Sequence, residues 1–211
     1  MTTPITKGSM ERRIFPATEL RVATDGTKKK LSGYSAVFNR DSVVLGGWFR
    51  FIERILPGAF SETLRTADVR CLFNHDANMV LGRSQARTLR LVEDDKGLLM
   101  ECDPPATSVG ADVTALVERG DISGQSFSFV TIEDRWTFYK DDRPAFRELI
   151  KVELYDVGPV TFPAYPDTDV AARSSREDCE QVYRRAMERY GFGLDSLRLA
   201  ELELEEADLE G

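Results

Sequence analysis

The chain has 211 residues, 28 Lys and Arg against 36 Asp and Glu, a formal net charge of −8, one histidine, three cysteines and 42% hydrophobic residues. That length suits one domain of about 150–170 residues with appendages, large enough to bury a core without disulfides or a structural metal. Cys71, Cys102 and Cys179 are odd in number and widely spaced, which excludes a disulfide framework and a CxxC zinc site and points to a reducing cytosol. With one histidine and no HxH, HExxH or Cys–His cluster, neither a metal nor another cofactor is expected. No apolar run approaches the roughly 18–20 residues that cross a bilayer, and Met1-Thr-Thr-Pro4 does not open a signal peptide, so no membrane role is expected. The net negative charge argues against a nucleic-acid partner.

Residues 1–11 are polar and aperiodic and read as a disordered leader. Alternation over 31–38 predicts a strand, Asn39–Ser42 a turn, and 49–56 a second extended run. Pro57-Gly58 stops that run, and a short helix follows over 59–64. Residues 68–73 predict a strand that ends at Asn74-His75-Asp76, which places the single histidine at a strand end against polar surroundings. Residues 88–93 and 98–102, joined by Asp94-Asp95-Lys96-Gly97, predict a hairpin. Val109, Val113, Leu116 and Val117 recur at helical spacing over 108–119, with Ser108 as the expected N-cap and Gly120 as the expected C′ residue. Three more strands are predicted at 122–131, 134–139 and 146–157 before Pro159 and Pro163 break the pattern. The whole reads as a mainly β protein with flanking helices, a barrel or a sandwich.

From about Ser174 the composition favours helix, most clearly over 177–190. Residues 194–211 carry seven acids against one base, Arg198, which is −6 of the chain's −8. This tail reads as a mobile or partner-dependent helix outside the core. The division expected is therefore a leader to residue 11, a domain over 12–172 and a helical, acidic extension over 173–211.

Three elements have residues suited to chemistry. A serine hydroxyl attacks only when a nearby base takes its proton, and near neutral pH histidine is the usual base; this chain offers His75 alone. In Ile122-Ser-Gly-Gln-Ser-Phe-Ser-Phe129, a strand would set Phe127 and Phe129 on one face, in the core, and Ser126 and Ser128 on the other. Gly124 would allow close backbone approach, with N–H groups near Ser126 as oxyanion donors. This is no GxSxG nucleophile elbow, because Ser128 stands two residues on and no strand-to-helix turn follows. In Glu153-Leu-Tyr-Asp156, strict alternation puts Leu154 and Asp156 on one face and Glu153, Tyr155 and Val157 on the other; either acid suits the orientation of an imidazole. Taken singly, these are an ordinary surface histidine, a solvated serine face and exposed carboxylates.

Taken together and in order, Asn-His-Asp, Ser-Gly-Gln-Ser-Phe-Ser-Phe and Leu-Tyr-Asp-Val-Gly-Pro-Val-Thr-Phe-Pro-Ala-Tyr-Pro resemble the caudovirus prohead serine proteases of tailed bacteriophages. Gly33-Tyr-Ser-Ala-Val-Phe38, Ile55-Leu-Pro-Gly-Ala-Phe60 and Leu81-Gly-Arg-Ser84 extend the resemblance over roughly residues 12–172. It implies a closed β-barrel core of the herpesvirus-assemblin type and a serine endopeptidase. His75 matches the family histidine, and Ser126 matches the serine of its Gly-Met-Ser-Phe-Gly-Phe pattern, with Gln125 in place of Met and Ser128 in place of Gly. That leaves Ser128 as a decoy nucleophile. The acid of the family's Leu-x-Glu-Val-Ser pattern aligns with Asp156 and its serine with Gly158; Asp156 is the implied third member and Glu153 the alternative. Arg83 or Arg119 would assist the oxyanion donors.

The implied substrates are the scaffolding region of the major capsid protein and the protease itself, with the enzyme packaged inside the procapsid in the host cytoplasm or encoded by a prophage in a bacterial cytoplasm. Assemblin relatives dimerise, which makes a homodimer an expectation. The acidic tail would bind a basic face of capsid or scaffold protein. Two rival readings are an assembly factor that kept the fold and lost catalysis, and an unrelated β-barrel binding module in which Phe127, Phe129 and Phe162 are packing alone.

Overall fold

In a computed structural model, residues 10–15, 19–26, 28–46, 50–139 and 143–162 are described. The strands are β1 (Met10–Phe15), β2 (Arg21–Asp25), β3 (Lys28–Val37), β4 (Phe51–Ile55), β5 (Arg70–Leu72), β6 (Val80–Arg83), β7 (Leu89–Glu93), β8 (Gly97–Cys102), β9 (Gly124–Thr137) and β10 (Ala145–Val160). Two helices, α1 (Thr63–Thr66) and α2 (Ser108–Arg119), and a single 3-10 turn over Phe73–His75 complete the described elements. Strand β1 begins at Met10, within the span expected as leader. The expected helix over 177–190 and the acidic tail lie outside the described residues.

The strands form two sheets. One runs β1-β9-β10-β5-β6, with β4 also paired to β10; the other runs β2-β3-β8-β7. The closed barrel is a correction: among the described residues no pairing links one sheet to the other. The end strands, β1 and β6 of the first sheet and β2 and β7 of the second, each pair on one side only among those residues, while β10, inside the first sheet, gives one edge to β9 over nearly its whole length and divides the other between β4 at Ala145–Leu149 and β5 at Asp156–Val157. The sheets meet instead through side chains. Ser35 Oγ of β3 donates to Gln125 Oε1 of β9 at 2.8 Å, and Cys102 Sγ of β8 donates to the Leu81 carbonyl of β6 at 3.3 Å.

Phe127 and Phe129 stack at 5.0 Å and are fully buried, as their alternation with Ser126 and Ser128 predicts; burial of each aromatic contributes about 1.5–3 kcal/mol. Phe162, grouped with them as packing, is instead 73% exposed. The hairpin appears as β7 and β8 in an antiparallel ladder. Helix α2 covers the expected span, but its cap is Thr107, whose hydroxyl accepts from Gly110 N, rather than Ser108. Gly120 ends it at φ 85°, a left-handed position that glycine takes without a Cβ clash. The helix expected over 59–64 contracts to the four residues of α1, because turns fill 57–62. The two strands expected at 122–131 and 134–139 are one continuous strand, β9.

Candidate active site

β9 is the middle strand of the site, with β1 on one edge and β10 on the other. Ser126 pairs with Ile14 on β1 and with Gly158 on β10, and Ser128 pairs with Asp156. Directly opposed residues share a sheet face, so Ser126, Ser128 and Asp156 lie on one face while Phe127, Phe129, Leu154 and Val157 lie on the other, in the core. Strict alternation along β10 would put Leu154 and Asp156 together. A bulge between them, at Tyr155, turns Asp156 to the serine face and leaves Leu154 and Val157 in the core, the re-aiming that bulges provide beside active sites.

His75 reaches this face from the turn after β5. Asn74 and His75 sit at φ 53° and 57°, left-handed values uncommon for residues other than glycine. Two hydrogen bonds hold the turn against the end of β10: Thr161 N donates to Asn74 Oδ1 at 2.9 Å, and Asn74 Nδ2 donates to Thr161 Oγ1 at 3.0 Å. Gly158 makes room for it, since a Cβ there would lie 2.0 Å from the Leu72 carbonyl oxygen.

The three residues named from the sequence meet. Ser126 Oγ lies 2.6 Å from His75 Nε2, and His75 Nδ1 bonds the Asp156 carboxylate. Ser128 Oγ lies 3.0 Å from the same Nδ1. The hydroxyl of Ser126 also reaches the main-chain carbonyl of Arg13 on β1, at 2.9 Å. Ser126 and Ser128 are fully buried, and the side chains of His75 and Asp156 nearly so. Glu153, the alternative acid, pairs with Val130 three residues earlier on β10, about 10 Å along the strand. Arg83 lies two strands beyond Asp156 in the ladder, through Arg70, and holds Asp68 at 2.8 Å; Arg119, at the end of α2, holds Asp121 at 3.1 Å. The ladder positions beside Ser126 are occupied by Ile14 on β1 and Gly158 on β10. Among the described residues no three His, Cys, Asp or Glu side chains gather as a metal site would require.

On the core face, β1 is held by buried ions that sequence reading missed. Arg13 bonds Glu53 at 2.6 Å and Glu11 at 2.8 Å; Arg147 bonds Glu11 at 2.6 Å, Glu53 at 2.9 Å and Asp134 at 2.9 Å. Burial opposes the charge on Glu11, but the Arg147 and Arg13 guanidiniums outweigh it and bring its carboxyl down from 4.5 to about 2. Cys71 and Cys102 are buried free thiols, and a hydrogen bond with Cys102 together with burial pushes the Cys71 thiol up.

The model of the caudovirus prohead serine proteases matches residues 17–183, a span that holds His75, Ser126 and Asp156 and starts just past β1. The prohead protease of Enterobacteria phage HK97 is 30% identical over 172 residues, covering 80% of this chain and 70% of that protein. The solved structure of the bacteriophage T4 capsid assembly protease superposes with a TM-score of 0.50 over 75% of this chain and 100% of that one, at 10% identity, a likeness of fold. A family match over most of the chain, together with a relative of this similarity, places the chain in the caudovirus prohead serine protease family, as a serine peptidase.

Proposed function

We propose that this chain matures the head of a tailed phage by cutting the scaffolding region of the major capsid protein, and itself, through acyl transfer by Ser126, His75 and Asp156. The reading is carried by one observation, the 2.6 Å contact of Ser126 Oγ with His75 Nε2 while Asp156 occupies the opposite ring nitrogen. A carboxylate only accepts, so Asp156 requires the proton on Nδ1 and leaves the Nε2 lone pair facing the serine. His75 takes the Ser126 proton as Oγ bonds the scissile carbonyl carbon, and returns it to the leaving amine as the C–N bond breaks. Water then attacks the acyl-enzyme by the same route in reverse. Asp156 offsets the imidazolium charge that forms in both halves. The partners that follow are precursor capsid protein and further copies of the chain, inside the procapsid, and the acidic extension is the segment suited to tether it there.

Time-resolved intact-mass spectrometry tests this on wild type, Ser126→Ala and Ser128→Ala, each alone and mixed with precursor capsid protein. Defined fragments are expected from wild type and Ser128→Ala and none from Ser126→Ala. Identical fragments from all three would remove Ser126 as nucleophile; no cutting by any would put the assembly-factor reading ahead.

A further inference from the structure

His75 has a serine at each ring nitrogen. Ser126 Oγ lies 2.6 Å from Nε2 and Ser128 Oγ lies 3.0 Å from Nδ1. The two serines are two residues apart on β9 and share its face, and each is fully buried. On distance and burial alone either one has a claim on the imidazole. Asp156 breaks that symmetry. It stands directly opposite Ser128 in the β9–β10 ladder and bonds the same Nδ1 that Ser128 touches.

A neutral imidazole has one proton, and the carboxylate fixes it on Nδ1. Ser128 Oγ then meets an N–H and can only accept from it, whereas Ser126 Oγ meets a lone pair and donates. We infer that Ser128 is a positioning residue: the second acceptor of the His75 Nδ1–H, which together with Asp156 fixes the tautomer and the plane of the ring, and which is by the same geometry barred from acting as a nucleophile. The inference rests on the proposed roles of Ser126 and His75. It concerns a hydroxyl that the Gly-Met-Ser-Phe-Gly-Phe pattern lacks, so this chain has an added acceptor at a place where the pattern has no side chain.

The chain has a single histidine, so nitrogen-15 labelling of histidine yields one imidazole, read without assignment. In Ser126→Ala, which prevents self-digestion, the ring is expected as the Nδ1–H tautomer with a slowly exchanging, downfield Nδ1 proton. Adding Ser128→Ala is expected to move that proton upfield and speed its exchange. In the chain with Ser126 intact, a fluorophosphonate reagent reports nucleophile reactivity without a peptide substrate. Ser128→Ala is expected to lower its labelling rate about three- to tenfold, the loss of one buried hydrogen bond, with the label still on Ser126. Ser128→Gly, the residue of the family pattern, repeats both measurements if the alanine variant does not fold. An unchanged His75 spectrum with an unchanged labelling rate overturns the inference, as does label on Ser128. If Ser126→Ala is labelled as fast as wild type, the protease reading of Ser126 fails instead, and the spectrum still decides whether Ser128 holds the ring.

Discussion

His75 is held in a backbone conformation it would not choose. A left-handed residue other than glycine costs about 1–2 kcal/mol, and two stand in succession at Asn74 and His75. The Asn74–Thr161 pair supplies the compensating bonds, and asparagine both tolerates the conformation and offers a donor and an acceptor. Gly158 is the third requirement. Alanine there would drive a methyl into the Leu72 carbonyl, three residues before His75, so Gly158→Ala is expected to destabilise the fold by about 1–3 kcal/mol. The same substitution should slow fluorophosphonate labelling of Ser126 at least tenfold. Thermal unfolding and the labelling rate check both; wild-type values would show that the Leu72 carbonyl yields without moving the imidazole. The histidine and the two side chains that meet its ring, Ser126 and Asp156, were readable as residue types in order, but the left-handed turn was not, because nothing in Phe-Asn-His-Asp specifies it until Thr161 and Leu72 are in place.

Among the elements, β1 was the hardest to read. Met10-Glu-Arg-Arg has no apolar face, and Glu11 and Arg13 are inside only because Arg147 and Glu53, 136 and 40 residues away, meet them there. Removal of Arg147 takes a buried cation from Glu11, Glu53 and Asp134 and leaves Arg13 to hold the first two, so Arg147→Met is expected to cost about 3–5 kcal/mol in urea unfolding. A loss under 1 kcal/mol would mean that water replaces it. Glu11 has its carboxyl depressed from 4.5 to about 2, so its contribution is fully present above pH 4.5 and is lost as pH falls towards 2. Hydrogen-exchange protection of Met10–Phe15, corrected for intrinsic rates, should fall over that window, and the fall should shrink in Glu11→Gln. Equal protection at pH 7 and pH 3 would remove Glu11 from this role. The bulge at Tyr155 was equally hidden. Alternation from Glu153 assigns Leu154 and Asp156 to one face, and only the packing of both Leu154 and Val157 in the core shows that one residue must be left over between them.

At the scale of the whole molecule, the local signals with regular periods were sound guides: the β7–β8 hairpin, helix α2 and the Phe-Ser alternation of β9 appear where the pattern puts them. Sheet closure was not such a signal, since it depends on whether the end strands β1, β6, β2 and β7 find partners across the molecule, which no local period records. One sixteen-residue strand, β10, thereby presents Arg147 to the ion cluster, Asp156 to the imidazole and Gly158 to the histidine turn. Opposite it, the Arg13 carbonyl has a consequence for rate. The Ser126 hydroxyl has one proton and two acceptors, His75 Nε2 and that carbonyl. In the proposed mechanism only molecules whose proton faces His75 react, and their fraction multiplies the turnover of the entire population. A displacement of β1 alters that fraction while every residue of the proposed triad stays where it is, so in this mechanism the rate is set partly by a strand that contributes no side chain to the chemistry.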